Sequence, residues 1–195
     1  MKALIRKTVQ DTIETKQKFF ATHEDLIETC ARQMAETLEA GGKLLLFGNG
    51  GSAADCQHIA AEFVNRFQME RKPLPAIALT CDTSIITSIG NDYSFDEIFS
   101  KQVQALGHKK DIAIGISTSG NSANVIRAAA VAKDQGLILV GFSGAGGKLK
   151  EISDIAFCVD SPVTARIQEV HITLSHILCD LVERMLFHDQ QKHAQ

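Results

Sequence analysis

The chain has no tryptophan, one tyrosine and three prolines among 195 residues. It also lacks any apolar run near the roughly 20 residues that cross a bilayer. No CxxC pair occurs, and the five cysteines (Cys30, Cys56, Cys81, Cys158, Cys179) are odd in number. Neither a disulfide framework nor a thiolate zinc knuckle is expected. Positive charge is short as well: 20 Lys and Arg stand against 23 Asp and Glu, a net charge of -3 with His neutral. That removes the basic field that would hold nucleic acid or an anionic membrane surface. The opening MKALIRKTVQDTIETKQKFF mixes charge with apolar residues and has no signal-peptide core. The expectation is a cytoplasmic protein with no nucleic-acid and no membrane partner. Cys158, in the run IAFCV, and Cys179, beside an apolar stripe, are expected as buried thiols.

What is present is ordinary globular material, 45% hydrophobic and 22% charged, enough for one core without staples. One domain is expected overall: residues 1–40 helical, 41–188 α/β, and 189–195 a polar tail. Residues 1–40 lack Gly and Pro, and Leu26, Cys30, Met34 and Leu38 recur at helical spacing. This predicts two helices with a break near Ala21-Thr22-His23, Thr22 capping the second and Asp25 in its acidic first turn. Gly41-Gly42 ends the helical texture. Five apolar runs follow, at 43–47, 75–79, 111–116, 137–142 and 154–159, with helical patterns near 53–67, 94–106 and 122–135. The runs are continuous rather than alternating, as in strands buried on both faces of a parallel sheet. The fold class is therefore α/β, a doubly wound parallel sheet with right-handed crossovers. A long last helix is predicted from Thr164 to Phe187, with Ile167, Val170, Leu174, Ile177, Leu178 and Leu181 on one face.

Ligands of such sheets bind where strands end. The first strand runs into Gly48-Asn49-Gly50-Gly51-Ser52-Ala53. This matches the G-x-G-x-x-A dinucleotide pattern in form, and it is equally a tight strand–helix turn. The acidic residue that pattern wants about 20 positions on is missing; Asp82 is the nearest candidate. No P-loop pattern occurs. The third strand runs into Ser117-Thr118-Ser119-Gly120-Asn121-Ser122. Four hydroxyls at a helix start suit a phosphate monoester, whereas a helix cap alone would explain one of them. Ser143-Gly144-Ala145-Gly146-Gly147 either closes the same crevice or is a flexible turn.

His58 and Glu62, at i and i+4, share a helix face, so they form either an acid–base or metal-binding couple or a surface ion pair. Gln168 and His176 are eight residues apart, about 80° and 12 Å on an ideal helix. Either the last helix starts irregularly near Gln168, or the two groups reach a ligand from different directions or subunits. His171 is a ligand or an orienting neighbour of one. Asn91-Asp92 is a loop pair that either holds sugar hydroxyls or makes a plain Asx turn.

Four segments, GNGGSAADCQHIAAEF, ALTCDTSIITSIGNDYSFDEIFSKQV, GISTSGNSANVI and ARIQEVHITLSHILCD, together resemble the sugar isomerase (SIS) family. The closest resemblance is to its heptose-phosphate isomerase branch, over residues 40–187. That resemblance implies a five-stranded parallel sheet flanked by helices, with residues 1–40 serving oligomer packing. It implies a homotetramer with active sites at subunit interfaces, and one zinc ion per subunit bound by His58, Glu62, Gln168 and His176. It implies a sugar-phosphate substrate contacted by Asn49, Gly50, Gly51, Ser52, Glu62, Asn91, Asp92, Ser117, Thr118, Ser119, Ser122 and Gln168. Glu62 and His176 become the acid–base pair that isomerises sedoheptulose 7-phosphate to D-glycero-D-manno-heptose 7-phosphate through an enediolate. That is the first step of ADP-heptose synthesis for lipopolysaccharide core or other heptosylated glycans.

Two features depart from the branch. Ala165 stands where some relatives carry an acid, and the Ser143–Gly147 loop differs from the usual TGxDGG. The alternative is a non-catalytic SIS-fold tetramer that associates with the bacterial replication initiator, which NRFQMERKPLPAIAL and KQVQALGH also resemble. That branch lacks counterparts of Glu62 and His176, and both are present here. A DNA-binding regulator or a two-domain synthase would need more chain than this one has.

Overall fold

The computed structural model describes residues 1–187, so the expected tail at 189–195 lies outside the described residues. Five strands form one parallel sheet: β1 (Leu44–Gly48), β2 (Ala76–Ala78), β3 (Ile112–Ser117), β4 (Ile138–Ser143) and β5 (Ile155–Cys158), in the order β2-β1-β3-β4-β5. The helices are α1 (Lys2–Glu39), α2 (Gly51–Val64), α3 (Thr83–Asp92), α4 (Ser100–Leu106), α5 (Ala123–Asp134), α6 (Lys148–Ile152) and α7 (Thr164–Phe187). A 3₁₀ turn, Phe95–Glu97, precedes α4.

Strand side chains alternate between two cores. Leu44 and Leu46 join α1, α2 and α7 on one face, with Ile114, Phe142 and Phe157. Leu45 and Phe47 join α4, α5 and α6 on the other, with Val103, Val125 and Leu149. Every residue of β1 and β3 is buried. Continuous apolar runs have that cause. The edge strands β2 and β5 are only partly covered.

The first 40 residues form one helix, not two. No Gly or Pro interrupts it, and the residues expected at a break are satisfied inside it. Thr22 Oγ1 donates back to the Lys18 and Phe19 carbonyls (3.2 and 3.1 Å) instead of capping a new helix. His23 stacks on Phe19 with ring centroids 4.2 Å apart. α1 buries Phe19 near its middle and Ile27, Cys30, Met34 and Leu38 in its second half, while Leu4, Ile5, Val9 and Ile13 near its start stay exposed.

The helix expected over 94–106 is split into the 3₁₀ turn and α4, with Ser100 Oγ bonded to the Glu97 carboxylate (2.5 Å) between them. The segment before it is a helix, α3, and Asn91-Asp92 is its last turn rather than a loop. Asp82 caps α3 by accepting from Ile85 N–H (2.9 Å). Cys179 is buried, but Cys158 is only half-buried because β5 is an edge strand. On α7, Ile167, Val170, Leu174 and Leu178 are buried. Ile177 and Leu181 instead line an open groove with Phe20, Ile27 and Met185.

Candidate active site

The chain leaves β1 toward β2 on one side and β3 toward β4 on the other, so the β1/β3 boundary is the switch point of the sheet. Two loops meet across it. Asn49, after β1, and Asn124, in the first turn of α5, exchange side-chain amide bonds of 2.8 and 2.9 Å. Asn124 is buried, and its Oδ1 also accepts Val125 N–H (2.9 Å). Asn124 was missed as a site residue. Its only sequence signal is an amide two positions into a hydroxyl-rich helix start.

The β3–α5 loop gathers its hydroxyls. Ser117 Oγ lies 2.9 Å from Ser122 Oγ and 3.3 Å from Ser119 Oγ. Ser122 occupies the N-cap position of α5, yet its side chain makes no cap bond. The cluster therefore faces itself and the helix start, the arrangement that an incoming anion can use. Gly144 N–H donates to the Thr118 carbonyl (3.0 Å). Gly120, at φ +67°, packs so closely that a Cβ would stand 2.1 Å from the Gly146 carbonyl oxygen. The Ser143–Gly147 loop thus braces the hydroxyl loop.

On the other loop, Gly51 opens α2 with Ser52 buried behind it. A Cβ on Gly51 would sit 2.6 Å from Gln168 Nε2, so Gln168 lies against the start of α2. Two turns further along, His58 Nε2 meets His176 Nε2 at 2.9 Å and Glu62 Oε1 at 3.4 Å. α7 is regular from Thr164, which excludes the irregular start. α2 and α7 instead pair Gly51 with Gln168 and His58 with His176. Within one chain, His58 lies against both Glu62 and His176, and Gln168 lies against Gly51.

Asp55 shares this face of α2, three residues before His58. Burial pushes its carboxyl up, and His58 and His176 partly offset that. The i, i+3, i+7 spacing of Asp55, His58 and Glu62 was legible but unused. His171 packs against the end of β4. It is buried, its Nε2 bonds the Ser143 carbonyl (3.1 Å), and burial pushes its pKa down to about 4 despite that bond. Asn91 and Asp92 are exposed and bonded to each other (2.9 Å). Among the described residues they make no hydrogen bond to the other loops.

The donor set fits a borderline ion such as zinc, which takes imidazole nitrogen and carboxylate oxygen. Two ligands of a tetrahedral zinc stand about 3.3 Å apart, so the His58 and His176 nitrogens need only separate by a few tenths of an ångström. In the present arrangement one nitrogen donates to the other. Among the described residues no three His, Cys, Asp or Glu already stand in a metal-binding arrangement.

The SIS domain family matches residues 9–144. A phosphoheptose isomerase of Nitratidesulfovibrio vulgaris is 58% identical over 185 residues, 94% of this chain and 88% of that protein. The structure of phosphoheptose isomerase from Neisseria gonorrhoeae aligns with a TM-score of 0.89 at 43% identity, covering 93% of this chain and 98% of that one. A phosphoheptose isomerase structure from Francisella tularensis gives 0.90 at 40%, covering 93% and 97%. The chain belongs to the SIS-domain family and, within it, to the phosphoheptose isomerases.

Proposed function

We propose that the protein isomerises sedoheptulose 7-phosphate to D-glycero-D-manno-heptose 7-phosphate, the step that opens ADP-heptose synthesis. The observation that carries this reading is that Glu62 and His176 both lie against His58. Moving a carbonyl between adjacent carbons needs a base for the carbon-bound proton and a shuttle between the two oxygens. Glu62 takes the proton and returns it to the neighbouring carbon. His176 moves the second proton between the oxygens. Ser117, Thr118, Ser119 and Ser122 hold the phosphate, with Asn49 and the Gly50–Ser52 turn on the far side of the crevice. His58 lies about 10 Å of helix rise beyond Gly51, so phosphate and reacting carbons occupy opposite ends of one substrate. Binding energy at the phosphate then fixes the reacting end.

His58, Glu62 and His176 would hold a zinc ion, with Gln168 as fourth ligand. A bound zinc would polarise the carbonyl and stabilise negative charge on the enediolate oxygens. The site is shared between subunits of a homotetramer. The exposed apolar residues of α1 and the groove between α1 and α7 are surfaces for that assembly. Among the described residues no helix is long and apolar enough to cross a membrane, consistent with work on a phosphorylated sugar in the cytoplasm. The non-catalytic alternative gains nothing from these observations, since both acid–base residues are present and each lies against His58.

The test is a substrate panel: sedoheptulose 7-phosphate, its unphosphorylated form, and five- and six-carbon ketose phosphates, before and after chelation. Conversion of the seven-carbon phosphate alone, lost with chelator and restored by zinc, is expected. A well-folded protein that converts none of them would overturn the reading.

A further inference from the structure

The loop from α2 to β2 is held by a buried ion pair that plays no part in the site described above. Glu183, on α7, is about 1% exposed, as is its partner Arg71 (Nε–Oε1 2.8 Å). Two buried charges survive only when their remaining bonds are filled, and here they are. The Glu183 carboxylate accepts the backbone N–H groups of Phe67, Gln68 and Met69 at 2.7, 2.8 and 3.0 Å. Burial pulls its pKa up, but those three bonds and Arg71 together bring it below the ordinary carboxylate range, so it stays ionised. Arg71 donates to the Glu62 and Phe63 carbonyls, both at 2.8 Å. Its cation sits at the C-terminal end of α2, where the last carbonyls lack helical partners.

Each end of this pair reaches one member of the acid–base couple. Arg71 holds the backbone carbonyl of Glu62 itself. Glu183 lies seven residues after His176, two turns along the same face of α7. By fixing the N–H of Phe67, it lays the Phe67 ring on the His176 imidazole, with centroids 5.6 Å apart and planes 22° from parallel. We propose that Phe67, Arg71 and Glu183 are positioning residues that set Glu62 and His176 in register for proton transfer. This rests on the isomerase reading above.

A purely structural latch would close the loop and end α2, and the identity of residue 67 would not matter to turnover. Phe67→Leu keeps apolar bulk and the backbone N–H but removes the flat ring. The expected result is kcat lower by about tenfold, within the ~10²-fold that a 1 Å misplacement costs, with KM changed by less than about twofold. Phe67→Tyr should restore kcat. Glu183→Gln keeps the shape and should also lower kcat more than KM. If it fails to fold, the Phe67 variants decide alone. The proton signals of the His176 ring provide a readout without turnover: the upfield ring-current shift should vanish in Phe67→Leu and return in Phe67→Tyr. A folded Phe67→Leu protein with wild-type kcat overturns the proposal. If the wild type converts no ketose phosphate, the isomerase reading has failed, and the ring-current shift alone decides whether the latch orders His176.

Discussion

Replacing Gly51 by Ala separates the packing of α2 on α7 from the chemistry at their junction. The new Cβ would lie 2.6 Å from Gln168 Nε2, and the nearest contact is the tip of a flexible side chain rather than backbone. Reaching an ordinary contact of 3.4 Å moves that tip by about 0.8 Å. Turning the amide off its rotamer costs about 0.5–1.5 kcal/mol. Exchanging Gly for Ala where the backbone permits it, as at Gly51, returns about 0.4–1 kcal/mol through the unfolded chain. The two nearly cancel, so the melting temperature should shift by no more than about 2–4 °C. Turnover of sedoheptulose 7-phosphate should fall about 10- to 100-fold, because Gln168 no longer sits where it meets substrate or metal. Calorimetry and a steady-state assay on the same preparation measure both. Unchanged turnover would refute the role given to Gln168. A fall in melting temperature beyond about 10 °C would show that the contact is rigid packing, against the reasoning.

Three further outcomes follow from the same geometry. His171 titrates near 4 in the fold against 6.5 unfolded, so the unfolded chain binds the extra proton between those values. Its contribution, on the order of 3 kcal/mol, is complete above pH 6.5 and lost as pH falls toward 4. His171→Gln should flatten that part of a urea-denaturation pH series, and an unchanged slope would contradict the burial argument. Asn124→Leu strands the Asn49 amide and the Val125 N–H; it should cost about 1–3 kcal/mol in urea titration and raise KM more than it lowers kcat. Ser122→Ala should weaken competitive inhibition by inorganic phosphate while leaving the melting temperature within about 2 °C, since Ser122 caps nothing; unaltered inhibition would remove it from the phosphate site.

The sheet was legible because β1, β3 and β4 are covered on both faces, which leaves continuous apolar runs in the sequence. The α1 break was misread because Thr22 and His23 look like a helix start, yet both bond backward into the same helix. α3 was missed because its stripe is short: Ile85, Ile86 and Ile89 recur at helical spacing but none is fully buried, and the helix runs out through the turn-forming Gly90-Asn91-Asp92. The Asp82 cap marks its start. The His58–Glu62 pairing was readable from i, i+4 spacing, whereas the arrival of His176 depends on how α2 packs on α7, 118 residues away. Arg71 and Glu183 could not be foreseen as buried. Charged side chains read as surface until a partner 112 residues away is seen to neutralise them.

The most direct test compares wild type and Glu62→Gln on sedoheptulose 7-phosphate, with folding checked by calorimetry. The account predicts that the wild type forms the aldoheptose phosphate. The glutamine variant, isosteric and unable to accept the carbon-bound proton, should stay folded and lose at least about 10³-fold in kcat. A folded variant with near-normal turnover would contradict the assignment of Glu62 as the base.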